Sequence, residues 1–142
     1  DSTKHKSENG IMTVHNAIYS RLSGDSAITA LVSTRIFPDI APQDQVLPYV
    51  VFRVVDTIPA QVKDGASLNN TYNVEVMSFA KTFASAQSII DACISRLDYW
   101  QGTSGGVTVR HCKVDSKGNM PFVPEQEVFS AVAQARVFTY NT

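Results

Sequence analysis

The sequence predicts an α+β domain in which a four-stranded, mainly antiparallel sheet carries two helical segments on one face. The first observation behind this is the run 127–140, EVFSAVAQARVFTY, which alternates like a strand with side chains to bury. The second is the run 83–100, whose apolar residues recur at helical spacing. The third is a repeated pattern of one helix and two strands, which gives the order α-β-β-α-β-β and favours a permuted ferredoxin-like arrangement.

The composition is sufficient for one domain with a substantial core. The chain has 142 residues, of which 44% are hydrophobic and 18% charged, and its formal net charge is -1. This balance excludes binding of nucleic acid through bulk charge, which requires a clear excess of Lys and Arg. The longest apolar runs are far shorter than the roughly 20 residues that a membrane helix needs. We therefore expect no membrane segment.

The first twelve residues are expected to lie outside the domain. Residues 1–12 are polar and show no periodicity, which predicts a disordered extension, or a remnant of cloning if Met12 is the natural start. Residues 13–142 are then a single α+β domain. It begins with a short amphipathic helix over 13–23, followed by Gly24 and a second helical turn.

Two strands are predicted after these helical segments. The three prolines of residues 38–48 indicate an extended loop. The β-branched run Tyr49–Thr57 predicts strand one, and Leu68–Ala80 predicts strand two. The connection between them, Ile58–Ser67, is longer than a tight hairpin requires.

The main helix is predicted over Phe83–Trp100, with Thr82 as its N-cap. Its core-facing stripe is expected to be Phe83, Ala86, Ile90, Cys93, Leu97 and Trp100. Strand three is predicted over Val107–Asp115, and the two prolines of residues 116–126 predict a loop before strand four. If strand four lies between strands two and three, the sheet order is one-two-four-three.

Strand four is predicted to be central because both of its faces have side chains to bury. The apolar, mostly small set allows a helix to pack close above it and consists of Phe129, Ala131, Ala133, Ala135 and Val137. The opposite set is mixed, which is typical of a face half protected from water. Three aromatic residues are interpreted as core packing, or alternatively as a partner surface: Tyr72, Phe138 and Tyr140.

The residue pattern predicts no catalytic, cofactor or metal site. The glycine run 102–106 follows a helix, whereas a phosphate loop precedes one. Cys93 and Cys112 are predicted to be buried free thiols of a reducing compartment, since they lack metal-ligand spacing. The histidines have no partner pattern for catalysis or metal binding and are interpreted as solvated or packed side chains: His5, His15 and His111.

The order and spacing of several short segments are distinctive. These segments are residues 14–32, Arg35–Pro38, Ala41–Gln43, Leu47–Phe52, Ser78–Ala80 and Leu97–Gly102. Together they resemble the tail completion, or tail terminator, proteins of long-tailed bacteriophages. The resemblance covers roughly residues 13–140, and the family contributes no catalytic residues to transfer.

The resemblance implies a non-enzymatic structural protein that caps the tail tube as an oligomeric ring and provides a surface for head-to-tail joining. The implied partners are five sister copies in a homo-hexamer, the tail tube protein and a head-completion or connector protein. DNA would only pass through the ring, and no membrane is involved. The protein would be assembled in the bacterial host cytoplasm and reside in the virion at the tail–head interface. The alternatives are a small-ligand-binding or regulatory α+β module and a small enzyme such as a hydrolase.

Two regions are candidates for contact with a neighbouring subunit or the tail tube. Val62, Lys63 and Asp64 lie near the tip of the long connection, whose length suits contacts made in an assembly. The mixed face of the sheet supplies three more candidates: Arg53, Gln134 and Arg136.

Overall fold

The computed structural model describes residues 14–43, 45–59, 69–104, 107–124 and 127–140. Its elements are α1 (residues 14–23), α2 (Ser26–Val32), β1 (Ile36–Pro38), β2 (Tyr49–Pro59), β3 (Asn69–Ala80), α3 (Phe83–Leu97), β4 (Gly102–Ser104), β5 (Val107–Val123) and β6 (Val128–Tyr140). The six described strands form one mixed sheet in the order β1-β2-β3-β6-β5-β4. The α+β class is therefore confirmed, and the extent of the domain, 13–142, stays a prediction.

The predicted four-stranded, ferredoxin-like sheet is wrong in detail. The long strands β2, β3, β6 and β5 do lie side by side, and each neighbouring pair is antiparallel. Two short strands extend this sheet at its edges, however. β1 runs parallel to β2, with Ile36 opposite Val50, and β4 pairs with the start of β5. Pro38 ends β1, in keeping with the restriction of proline to strand ends and sheet edges.

β5 is much longer than the sequence predicts. A strand ending at Asp115 and a loop over residues 116–126 were expected, but β5 continues to Val123 and stays paired with β6. The pairing shifts register between Met120 and Val123. Such bulges admit residues that a regular ladder disfavours, which explains how a proline-bearing segment remains in the strand.

The core lies between the sheet and the helices. Ala131, Ala133 and Ala135 of β6 are buried beneath α3, and their small side chains allow the helix to approach the sheet. β6 corresponds to the predicted strand four, and the prediction that its apolar, mostly small side chains face the helices is confirmed. Tyr72 of β3 also lies in this core with 2% of its surface exposed, which decides its interpretation as core packing.

α3 follows its predicted pattern except at its ends. Thr82 caps it, because its hydroxyl accepts a hydrogen bond from the Ser85 N–H at 3.1 Å. Phe83 is 54% exposed and not core, because α3 begins just after β3 ends and its first turn lies at the margin of the sheet. The helix ends at Leu97 and not at Trp100, which is buried in the following turn.

α1 is fastened to α3 by two reciprocal hydrogen bonds. Arg21 Nε donates to the Arg96 carbonyl at 2.9 Å, and Arg96 Nε donates to the Arg21 carbonyl at 3.0 Å. The turn after α1 requires Gly24, because a Cβ there would lie 2.9 Å from the Ser20 carbonyl oxygen. The helices form one layer on one face of the sheet, and no helix of the described residues covers the other face.

Candidate assembly surface

The candidate site is the face of the sheet opposite the helix layer, here called the open face. Along β3, Asn73, Glu75, Met77 and Phe79 point to this face, and each is only partly buried. Their neighbours along the strand are buried against the helix layer. A broad sheet face that is neither covered nor fully polar is typical of an interaction surface.

The middle of the open face carries a row of polar side chains across three strands. Arg53 of β2, Glu75 of β3 and Gln134 of β6 lie opposite one another in the sheet register. Arg53 Nε donates to Glu75 Oε1 at 3.2 Å, and Gln134 Nε2 donates to Glu75 Oε2 at 3.4 Å. Glu75 therefore holds both neighbours in place.

A second charged pair lies beside this row. Arg136 of β6 donates from Nε and Nη2 to the two carboxylate oxygens of Asp115 at 2.8 and 3.0 Å. This two-point geometry is the strong form of an ion pair and fixes the guanidinium plane. The Arg136 guanidinium also lies 5.7 Å from the centre of the Phe138 ring. The charge of Arg136 is thus largely balanced within the subunit.

The structure brings together three of the six predicted contact residues. Arg53, Gln134 and Arg136 all lie on the open face, on neighbouring strands. Their role in an interface stays a prediction. Val62, Lys63 and Asp64 lie outside the described residues.

One end of the open face forms a cleft of about 540 Å³ beneath the segment that joins β1 to β2, with a lining that is partly polar (Asp39, Gln43, Gln45) and partly apolar. Its apolar lining includes Leu47, Tyr49, Val51, Met77, Phe79 and Val128. The rings of Tyr49 and Phe79 stack with their centres 4.9 Å apart. Burial raises the pKa of Tyr49. Ile40 lines the cleft and is 80% exposed. Val46, on the same segment, is 65% exposed. These two side chains extend the apolar surface beyond the cleft.

The diagonally opposite end of the sheet carries an aromatic and basic group. His111 of β5 stacks on Phe138 of β6 with ring centres 5.9 Å apart. Tyr99 lies 6.3 Å from His111 and is 77% exposed. Arg110 is exposed beside them. Sequence reasoning named Phe138 as a possible surface aromatic but missed Tyr99.

Among the described residues, no group of three or more His, Cys, Asp or Glu side chains is placed to hold a metal ion. Cys93 and Cys112 are buried and free, as predicted, and burial raises the pKa of both thiols to about 12. Both are therefore protonated and unreactive near neutral pH. No helix in the described residues is long and apolar enough to cross a membrane.

The family model described as "Tail completion protein gp17" matches residues 16–140, which is nearly the whole chain. The chain belongs to this family. Its members are structural proteins of the phage tail, in agreement with the resemblance found in the sequence. No curated protein sequence matches the chain.

One solved structure shares the fold of this chain. A chain from the virion of a native gene transfer agent particle has a TM-score of 0.75 and 20% identity, covering 94% of this chain and 97% of its own. At this identity the likeness establishes a shared fold. The gp17 protein of bacteriophage SPP1 is 17% identical over 90% of this chain and 89% of its own, and its TM-score of 0.48 supports no conclusion.

Proposed function

We propose that the protein is a non-enzymatic virion component that caps the end of the phage tail tube as a homo-hexameric ring and provides the surface for head-to-tail joining. The observation that carries this is the family match over residues 16–140. The partners are then sister copies, the tail tube protein and a head-completion or connector protein. DNA passes through the ring without specific contact. Assembly takes place in the bacterial host cytoplasm.

The open face supports a role in assembly because its polar side chains are already hydrogen-bonded to one another in the free subunit. Arg53, Glu75 and Gln134 form one hydrogen-bonded row, and Arg136 is fixed by Asp115. Polar groups that are already in place lose little side-chain freedom when a partner binds. Arranged in register, they fix the orientation of a partner more than they add affinity.

The contact with the tail tube is proposed to involve the connection between β2 and β3, where Val62, Lys63 and Asp64 occur in the sequence. β2 and β3 form a long antiparallel ribbon that leads to this connection. The support for this proposal is the length of the connection together with the ribbon that carries it.

The test is to make particles in cells that lack this chain and to add the purified protein back. We expect tails without the protein to fail to join heads and the added protein to restore joining. Negative-stain images of the protein, alone at high concentration or on tail ends, should show six-fold rings. A chain that forms rings only with an added metabolite would instead support the ligand-binding alternative. Normal joining in its absence would overturn the proposal.

A further inference from the structure

Tyr99 is an aromatic side chain held out from the molecule by a strained turn. The Trp100 N–H donates to the Leu97 carbonyl at 3.0 Å, and Asp98 has φ −63° and ψ 131°, which is the geometry of a type II turn. Tyr99 therefore occupies the third position of this turn, with φ 63°. Glycine or asparagine normally fills that position, because a side chain there is strained. Three polar residues, Ser33, Asp39 and Glu127, have a similar positive φ, and Tyr99 is the aromatic one in this set, so its exposed ring is the feature to explain.

The backbone of Tyr99 is fixed to the sheet. Its N–H donates to the Cys112 carbonyl of β5 at 2.9 Å, and its ring lies against His111. The side chain is nevertheless 77% exposed. A rigidly presented tyrosine loses little conformational entropy when it is buried by a partner, and tyrosine is among the residues that most often dominate binding energy.

The cleft that would suit this side chain lies at the opposite corner of the sheet, and its mixed lining offers apolar contacts to the ring and polar groups to the hydroxyl of a tyrosine. It is formed at the β1–β2–β3 side, whereas Tyr99 lies at the β5–β4 side. Along the strands, the row of Phe79 and Ser130 is about 27 Å from the row of His111 and Phe138. Tyr99 therefore cannot reach the cleft of its own subunit.

The charges around the two features are complementary. Arg110 and Lys113 are exposed on β5 next to Tyr99, and neither forms an ion pair within the described part of the chain. At the cleft, Asp39 is 66% exposed, 3.7 Å from His15, and Glu127 is exposed next to the cleft residue Val128. Each group also includes one opposite charge: Asp98 beside Tyr99, which accepts from the Val114 N–H at 3.2 Å, and Arg35 at the cleft segment, which donates to the Pro48 carbonyl. The excess is still basic around Tyr99 and acidic around the cleft.

We propose that Tyr99 of one copy inserts into this cleft of a second copy of the chain. This inference rests on the proposed ring and identifies the contact that builds it. Because the inserted residue and the cleft lie on different surfaces, the contact is head-to-tail, and repetition of such a contact closes a ring when the rotation allows it. Ile40 and Val46 extend the apolar contact at the rim.

The first experiment compares Tyr99→Gly with Tyr99→Phe by sedimentation and by thermal melting. Glycine removes both the ring and the backbone strain, so the melting temperature is expected to stay equal or rise. Self-association is expected to weaken by about 30-fold or more, as for a residue that dominates an interface. Tyr99→Phe keeps the aromatic ring and should associate like the wild type.

The second experiment tests that the contact is head-to-tail. Met77→Arg places a charge in the cleft but leaves Tyr99 intact, whereas Tyr99→Gly leaves the cleft intact. Each variant alone should be monomeric, and an equimolar mixture should form a one-to-one pair that does not grow further. Unchanged association of Tyr99→Gly, while the wild type forms rings, would overturn this contact and leave the ring standing. If the wild-type chain associates neither at millimolar concentration nor on tail ends, both proposals fail.

Discussion

Leu97 lies in the last turn of α3, and its side chain packs in the core with only 2% of the residue exposed. Truncation of a fully packed leucine loses transfer free energy and leaves a cavity, so Leu97→Ala should lower the free energy of unfolding by about 2–5 kcal/mol. Ser95, exposed on the same helix, supplies the control, and Ser95→Ala should change it by less than about 0.5 kcal/mol. Urea unfolding measures both. Similar small losses for the two variants would mean that Leu97 is not a core residue.

The buried thiols predict a loss of stability at high pH. Burial raises the pKa of Cys93 and Cys112 from 9.0 to about 12, so both stay protonated in the folded state while they ionise in the unfolded chain. The unfolded state then binds fewer protons, and the free energy of unfolding falls as pH rises from about 9 to about 12. Each thiol contributes up to about 1.4 kcal/mol per pH unit.

The control for this effect is the double variant Cys93→Ala/Cys112→Ala. It keeps the contribution of Tyr49, whose pKa is also raised by burial. We expect a clearly shallower decline of stability with pH in the variant, whatever its stability at pH 7. Parallel curves for the variant and the wild type, measured by urea unfolding at several pH values, would contradict the buried-thiol explanation.

At the scale of residues, the sequence predicts which side chains are buried wherever alternation or helical spacing determines the face they occupy. The small side chains Ala131, Ala133 and Ala135 recur at every second position, and this pattern alone places them under a helix. Phe83 fits the helical spacing but lies beyond the sheet margin, which depends on where β3 ends. Tyr99 gives no signal at all, because its turn normally contains glycine or asparagine.

At the scale of elements, the long strands are predictable and the edge strands are not. β6 is central and alternates cleanly, so its two faces are visible in the sequence. β1 has three residues and ends at Pro38, and β4 lies within a glycine-rich segment, so both resemble loops. Just beyond Asp115, residues 116–120 of β5 are exposed or partly exposed, and no buried alternation among them marks a strand.

The connection between β2 and β3 gives a prediction at this scale. Pro59 lies opposite Asn70 in the β2–β3 ladder, so residues 60–69 can be replaced by an Asn-Gly turn without breaking the pairs before it. We expect the variant to fold with nearly unchanged melting temperature but to lose binding to tail tubes. A variant with the original length and Val62, Lys63 and Asp64 replaced by Gly-Ser-Gly separates the effect of length from that of sequence. Normal capping of tails by both variants would contradict the proposed tube contact.

At the scale of the whole molecule, the sheet separates two kinds of surface. The polar row of Arg53, Glu75 and Gln134 crosses the middle of the open face and is satisfied within the subunit. The cleft and Tyr99 lie at opposite corners, and Tyr99 remains 77% exposed although its ring lies near His111. In a head-to-tail ring, every copy would contribute Tyr99 to one neighbour and the cleft to the other. The polar row in the middle of the open face would remain available to orient the tube or connector.

This arrangement predicts that assembly depends on ionic strength. The charges at the two corners steer the encounter of copies, and salt screens them over about 8 Å at physiological ionic strength. Association should therefore slow as salt rises from about 50 to about 500 mM, while dissociation changes little. Arg110→Glu/Lys113→Glu should slow association in the same way at low salt, because two carboxylates would then face Asp39 and Glu127.

The matched variant is Asp39→Lys/Glu127→Lys, which reverses the charges at the cleft instead. Each double variant alone should assemble slowly. In a mixture of the two, the acidic side chains now next to Tyr99 in one variant should meet the basic side chains now at the cleft of the other. The mixture should therefore regain the wild-type association rate in stopped-flow light scattering. A Tyr99→Gly background should abolish that recovery, because charge steers the encounter but the aromatic side chain holds the contact. Recovery in the Tyr99→Gly background would mean that the charges act at a different interface.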